Sequence, residues 1–119
     1  MLEFYSIDSE GNEIQYLSAY ERQENTFIFD DKTVEATCVL YEFGKEFRIK
    51  RQGKITMNFL FDLDKNTVGI YENEMGLSIK FVIKTKELIC KNNSFSVIYE
   101  LYLDGDFISE HTIKIRILD

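Results

Sequence analysis

The chain has 119 residues, of which 45% are hydrophobic and 29% charged, and it carries 10 phenylalanines and 7 tyrosines. This length predicts one domain over residues 1–119, and the aromatic content excludes a disordered chain. The net charge of −7 argues against nucleic acid as a partner, because nucleic-acid binders are usually basic. The negative charge is concentrated in residues 1–44, whereas the remainder is close to neutral.

The location predicted from the sequence is the cytoplasm. No run of about 20 apolar residues predicts a membrane-spanning segment, so no membrane association is expected. Residues 1–5 show neither the basic nor the continuous apolar region of a secretory signal. The two cysteines, Cys38 and Cys90, are fewer than a secreted disulfide scaffold of this size usually carries. Two reduced, buried thiols are therefore the favoured prediction, with a structural disulfide as the alternative.

Apolar and polar residues alternate with period two through much of the chain, a pattern typical of half-buried strands. The clearest alternating rows are residues 55–61, 77–83, 95–103 and 113–117. Turn-forming residues lie at 9–12, 42–45, 63–66, 73–76 and 104–106. Only residues 84–91 could form a turn of helix, and a continuing strand is the alternative there. The predicted fold is all-β: a single antiparallel up-and-down β-barrel of about eight strands.

Several short stretches carry a family resemblance through their order and spacing. They are Arg51-Gln52-Gly53, Met57-Asn58 with Phe61, Tyr71 with Gly76 and Thr85-Lys86, and Val97-Ile98-Tyr99-Glu100-Leu101 followed by Asp104-Gly105. In these features the chain resembles the YwiB-like family of uncharacterised bacterial proteins, over most of its length from Ser9 onward. The resemblance implies a calycin-like, lipocalin-like β-barrel and no established activity. The chain departs from the family pattern in a shorter stretch between Ile28 and Cys38, and Asn93 stands where glycine is common.

The motifs of common enzymes and metal sites are missing from the sequence. There is no glycine-rich phosphate loop and no nucleophile elbow. One histidine and two scattered cysteines do not give the usual spacings of a zinc site. No cofactor and no metal are therefore predicted. An enzyme is the least favoured class, with His111 as the one histidine that could act as acid or base.

Strand parity places a set of polar side chains on the inward face of the barrel, provided that the strands are regular. The candidate ligand-binding residues are Arg51, Thr85, Tyr99, Ser109 and His111. An inward arginine needs an anionic or hydrogen-bonding partner, and a ligand carboxylate would supply one. The favoured function is therefore a non-enzymatic barrel that binds a small molecule, and an anionic group on that molecule would suit Arg51.

Each candidate also has a purely structural interpretation. A bulge near Gly53 could turn the head of Arg51 to solvent while its stem packs. Tyr99 and His111 could be hydrogen-bonded interior residues, and Thr85 a cap or strand-end hydroxyl. For each residue taken alone, the structural interpretation is the favoured one.

Basic side chains fall on the outward parity of several strands. They are Arg48, Lys50, Lys54, Lys80, Lys84, Lys114 and Arg116. A solvated outer face explains them most simply. The alternative is a protein–protein interaction surface for an acidic partner, which could be the acidic first third of a second copy in a homodimer.

Overall fold

A computed structural model describes residues 1–32, 36–43 and 46–118. These residues form eleven β-strands and contain no helix that could cross a membrane. The strands are β1 (Leu2–Asp8), β2 (Glu13–Ser18), β3 (Tyr20–Gln23), β4 (Thr26–Asp31), β5 (Ala36–Phe43), β6 (Glu46–Gly53), β7 (Ile55–Asp62), β8 (Thr67–Asn73), β9 (Ser78–Lys91), β10 (Ser94–Leu103) and β11 (Asp106–Ile117).

All strands belong to one antiparallel sheet, in the order β2-β1-β11-β10-β9-β8-β7-β6-β5-β4-β3. The two outermost strands of that order, β2 and β3, are separated in the chain by Ala19 alone. The sheet therefore curls so that its two edge strands approach each other at this residue without pairing, and it forms a half-barrel. The predicted all-β, antiparallel, up-and-down architecture is confirmed.

Residues 84–91 continue β9, so the strand is the alternative that the structure adopts. A bulge explains why their pattern is ambiguous in the sequence. Ile98 lies opposite Glu87 and Tyr99 opposite Thr85, which leaves Lys86 as an extra residue. The inward positions of β9 are therefore odd-numbered before the bulge and even-numbered after it, where Leu88 and Cys90 pack against the core.

Turns connect the strands at four of the five predicted places, and the fifth, at 42–45, includes residues outside the described ones. Asp104 and Gly105 both have positive φ, of 52° and 86°, and join β10 to β11 as a two-residue hairpin. Two successive positive values are typical of the type I′ turn, whose twist matches that of the flanking strands. Cys90 is a half-buried thiol, and the side chain of Cys38 lies outside the described residues.

The core occupies one end of the half-barrel and is rich in aromatic rings. Phe95 contacts Phe27 and Phe47 at ring-centroid distances of 5.4 Å and 6.0 Å, and Phe61 contacts Tyr99 at 4.6 Å. The inward rows predicted for β7, β10 and β11 are buried here. Toward the other end the same strands line a cleft.

Candidate functional site

The open end of the half-barrel contains a cleft of about 370 Å³, here called the inner cleft. Small-molecule sites in proteins are typically about 300–1,000 Å³, so the volume suits one small ligand. Most of its wall is aliphatic or aromatic. The polar residues of the wall are Ser6, Asp8, Asn12, Arg51, Tyr71, Tyr99 and His111. The structure thus brings three of the five sequence candidates, Arg51, Tyr99 and His111, to one cleft.

Arg51 already has an anionic partner within the protein. Its Nε atom lies 2.8 Å from Oδ2 of Asp31, and the side chain of Asp31 is 0% exposed whereas that of Arg51 is 22% exposed. These two atoms do not meet hydrogen-bond geometry, so the contact is a close ion pair rather than a linear hydrogen bond. The Tyr16 hydroxyl lies 3.5 Å from the other oxygen of Asp31. The inward arginine therefore does not depend on a ligand for charge compensation.

Tyr99 contributes a buried ring and a hydroxyl to the cleft. The residue is 4% exposed and packs against Phe59, Phe61 and His111. Burial raises the pKa of its hydroxyl, and the nearby Arg51 cation opposes that rise. The phenol therefore keeps its proton at neutral pH. No described residue forms a hydrogen bond with this hydroxyl, which leaves it able to donate to a ligand.

His111 stacks on Tyr99, with ring centroids 5.2 Å apart and an angle of 18° between the planes. Its Nε2 atom lies 2.7 Å from Oγ of Ser109. Burial lowers the pKa of His111, the Asp8 carboxylate opposes this, and the Arg51 cation adds to it. The imidazole is therefore neutral at pH 7, and Ser109 orients it from outside the cleft wall.

The lowered pKa of His111 predicts a pH dependence of stability. Between the folded pKa and the ordinary value of 6.5, the unfolded chain binds the proton more readily than the folded chain. The free energy of unfolding should therefore fall as the pH drops below 6.5. Thermal unfolding at about pH 7.5 and about pH 5.5 measures this change. Between the two pH values, the wild type should lose more stability than His111→Gln. Equal losses in the two proteins would contradict the assigned pKa shift.

Ser109 lies outside the wall but contacts His111, whereas Thr85 does not line the inner cleft and has another role. Its hydroxyl oxygen accepts a hydrogen bond from the backbone N–H of Asp62 at 3.2 Å. The residue is buried, and its side chain links β9 to the end of β7. This contact gives Thr85 a structural role.

A family model described as "Domain of unknown function (DUF1934)" matches residues 7–115. The chain belongs to this family. The DUF1934 chain is also similar to a solved structure, described as the crystal structure of ywiB protein from Bacillus subtilis. The two share 16% sequence identity with a TM-score of 0.66, over 99% of this chain and 90% of that one. At this identity the likeness shows the fold. A search of curated proteins finds no match.

The resemblance of the sequence to a YwiB-like family is thereby confirmed. Sequence reasoning missed two acidic residues of this DUF1934 chain, Asp31 and Asp8. Strand parity could have found both, since Asp31 follows the buried Phe27 and Phe29 and Asp8 follows Leu2 and Phe4 at even spacing. Alternation along β1 and β4 is too short in the sequence to stand out.

Proposed function

We propose that this DUF1934 chain is a non-enzymatic, calycin-like binding module in the cytoplasm, whose inner cleft holds one small, mostly apolar molecule. The main observation that supports this proposal is the cleft, which has a volume of about 370 Å³ and lies at one end of the half-barrel. Buried hydrophobic side chains fill the other end. Along β7, β10 and β11 the same inward rows change from closed core to cleft wall. The fold therefore supplies both the rigid support and the recess.

The described side chains leave the apolar wall of this recess uncovered. Protein interiors pack about as densely as organic crystals, and unfilled apolar space costs free energy. Met57, Phe59 and Phe81 line the recess rather than closing it. A few polar groups among many apolar ones are the usual composition of a ligand site, because the apolar wall supplies affinity and the polar groups orient the ligand.

Blocking the cleft tests this proposal. Ile79 of β9 is half-buried and lines the cleft, so Ile79→Trp should fill part of it. The matched control is Lys84→Trp, an exposed position on the outer face of the same strand. The probe is N-phenyl-1-naphthylamine, an uncharged dye whose fluorescence rises in apolar surroundings. We expect Ile79→Trp to lower its affinity by about tenfold or more, a loss of about 1.4 kcal/mol.

The wild type and Lys84→Trp should bind the dye equally well, with circular dichroism confirming that all three proteins are folded. Equal binding by all three would place the dye outside the cleft. The absence of binding to the wild type would argue against the proposal directly.

The outer face supports a second candidate, a protein–protein interaction module. Val68 and Val82 lie opposite each other on β8 and β9 and are 60% and 41% exposed, with Ile70 beside them. A stable partner or second copy would have to bury more than about 1,000 Å². Val82→Glu should then lower the mass measured by light scattering at high protein concentration. A wild type that stays monomeric and captures no partner would count against this candidate.

A further inference from the structure

We infer that the ligand of the inner cleft is electrically neutral and presents a hydrogen-bond acceptor, such as a ketone or ester carbonyl, to Arg51 and Tyr99. This inference rests on the proposed function, because it specifies the chemistry of the same cleft. It departs from the anionic ligand that the sequence favours, and the reason is the charge already present around Arg51.

The positive charge of Arg51 is compensated inside the protein. The carboxylate of Asp31 lies 2.8 Å from the guanidinium, and its side chain is shielded completely from solvent. A ligand anion at Arg51 would bring a second negative charge beside a carboxylate that water cannot reach. Like charges at short range in a poorly solvated site repel strongly.

The remaining titratable groups of the wall add no positive charge. His111 is neutral at pH 7 because burial lowers its pKa. Asp8 stays ionised, because a hydrogen bond from the Asn12 side chain, together with backbone N–H groups, lowers its pKa. Among the described residues, the wall contributes the Arg51 cation and the Asp8 carboxylate, and the Asp31 carboxylate lies beside Arg51, a balance that disfavours an anion.

A cationic ligand fits no better. Both oxygens of Asp8 accept hydrogen bonds within the turn that follows β1. Oδ1 accepts from the backbone N–H groups of Glu10 and Asn12, and Oδ2 accepts from Nδ2 of Asn12. A ligand cation would have to displace these bonds while lying in the same cleft as the Arg51 guanidinium. A neutral ligand neither displaces the hydrogen bonds of Asp8 nor adds a second positive charge to the cleft that contains Arg51.

Two polar groups of the cleft wall, the Arg51 guanidinium and the Tyr99 hydroxyl, can donate hydrogen bonds, and together they favour an acceptor on the ligand. Arg51 uses Nε toward Asp31, and no described residue accepts a hydrogen bond from its terminal nitrogens. The Tyr99 hydroxyl is protonated, and it too has no hydrogen-bond partner among the described residues. Both residues line the same cleft, and the Arg51 cation is close enough to lower the pKa of the Tyr99 hydroxyl against the effect of burial. A carbonyl oxygen can accept from both.

The test uses two probes of the same shape, 2-acetylnaphthalene, a neutral ketone, and 2-naphthoate, an anion. Displacement of N-phenyl-1-naphthylamine gives both affinities on one scale. We expect the wild type to bind the ketone about tenfold or more tightly than the carboxylate. Tyr99→Phe keeps the ring and removes the donor, so it should weaken the ketone about three- to tenfold, a larger loss than it causes for the dye.

Removing a negative charge near Arg51 should make the cleft accept an anion more readily. Asp31→Asn keeps the shape of the side chain and removes the charge behind Arg51, so naphthoate affinity should rise by about tenfold while ketone affinity changes little. Asp8→Asn removes a charge at the cleft wall, and its amide can maintain the turn. If Asp31→Asn does not fold, Asp8→Asn provides the same test. It should raise the naphthoate affinity and change the ketone affinity little.

The outcomes separate this inference from the proposed function. Tighter binding of naphthoate than of the ketone to the wild type would overturn the neutral ligand and leave the binding module standing. An unchanged ketone affinity in Tyr99→Phe would overturn the role of the hydroxyl as donor. If neither probe nor the dye binds, the proposed function fails together with the inference.

Discussion

Replacing Arg51 with methionine is expected to lower the free energy of unfolding by about 3 kcal/mol. Methionine retains an unbranched apolar stem but removes the cation that lies 2.8 Å from the buried carboxylate of Asp31. A buried charge that loses its partner keeps its desolvation cost without the compensating attraction. Urea unfolding of the wild type and Arg51→Met measures the difference directly.

The matched control for this variant is Arg116→Met. Arg116 also pairs with a carboxylate, at 3.1 Å from Glu3, but its side chain is 61% exposed. Solvent screens such a pair, so the expected loss is below about 1 kcal/mol. Adding Asp31→Asn to Arg51→Met should recover part of the lost stability. Equal losses in Arg51→Met and Arg116→Met would show that the Arg51–Asp31 pair contributes no more to stability than the exposed Arg116–Glu3 pair.

Replacing Gly69 with alanine is expected to destabilise the fold by about 1–3 kcal/mol, through overpacking at the wall of the inner cleft. An added Cβ would lie 2.5 Å from Cδ1 of Phe59 and 2.7 Å from Cδ1 of Ile83, closer than van der Waals contact allows. Ile83 is fully buried in the core, and Phe59 could move only toward the inner cleft that it lines. The lower backbone entropy of the unfolded alanine variant offsets only about 0.4–1 kcal/mol of this cost.

The adjacent Val68 supplies the control for Gly69→Ala. Its side chain points to the outer face, so Val68→Ala should change stability by no more than about 0.5 kcal/mol. Gly69→Ala should also weaken binding of N-phenyl-1-naphthylamine, since Phe59 lines the inner cleft and would be displaced toward it. A Gly69→Ala protein as stable as the wild type would contradict the close packing of Phe59 over β8.

Strand parity predicted much of this molecule because long antiparallel strands with one buried face must alternate. It assigned the inward rows of β7 and β10 correctly, and it placed Arg51, Tyr99 and His111 on the face that forms the inner cleft. Parity fails at bulges, since each extra residue exchanges the two faces. At Ile108, for example, the pairing moves from Leu101–Ser109 to Tyr102–Phe107, and Phe107, which parity places inward, is exposed.

The sequence did not predict the partner of Arg51 or the openness of the cleft. Asp31 lies two strands away from Arg51 in the sheet, and only the curl of the sheet and the direction of both side chains bring them together. Whether inward rows close into a core or leave a recess depends on strand tilt and stagger, which residue types do not encode locally. The sequence predicted about eight strands, fewer than the eleven of the described residues, because the short strands within residues 2–31 provide few alternations.

A heteronuclear NMR titration of the wild type with 2-acetylnaphthalene tests the central claim most directly. We predict saturable shifts of backbone amides confined to the residues that line the inner cleft on β1, β2 and β6–β11 and in the turn between β1 and β2. The same shifts should be lost in Ile79→Trp and retained in Lys84→Trp. Shifts confined to the outer face around Val68 and Val82, or none at saturating ligand, would contradict a ligand site inside the half-barrel.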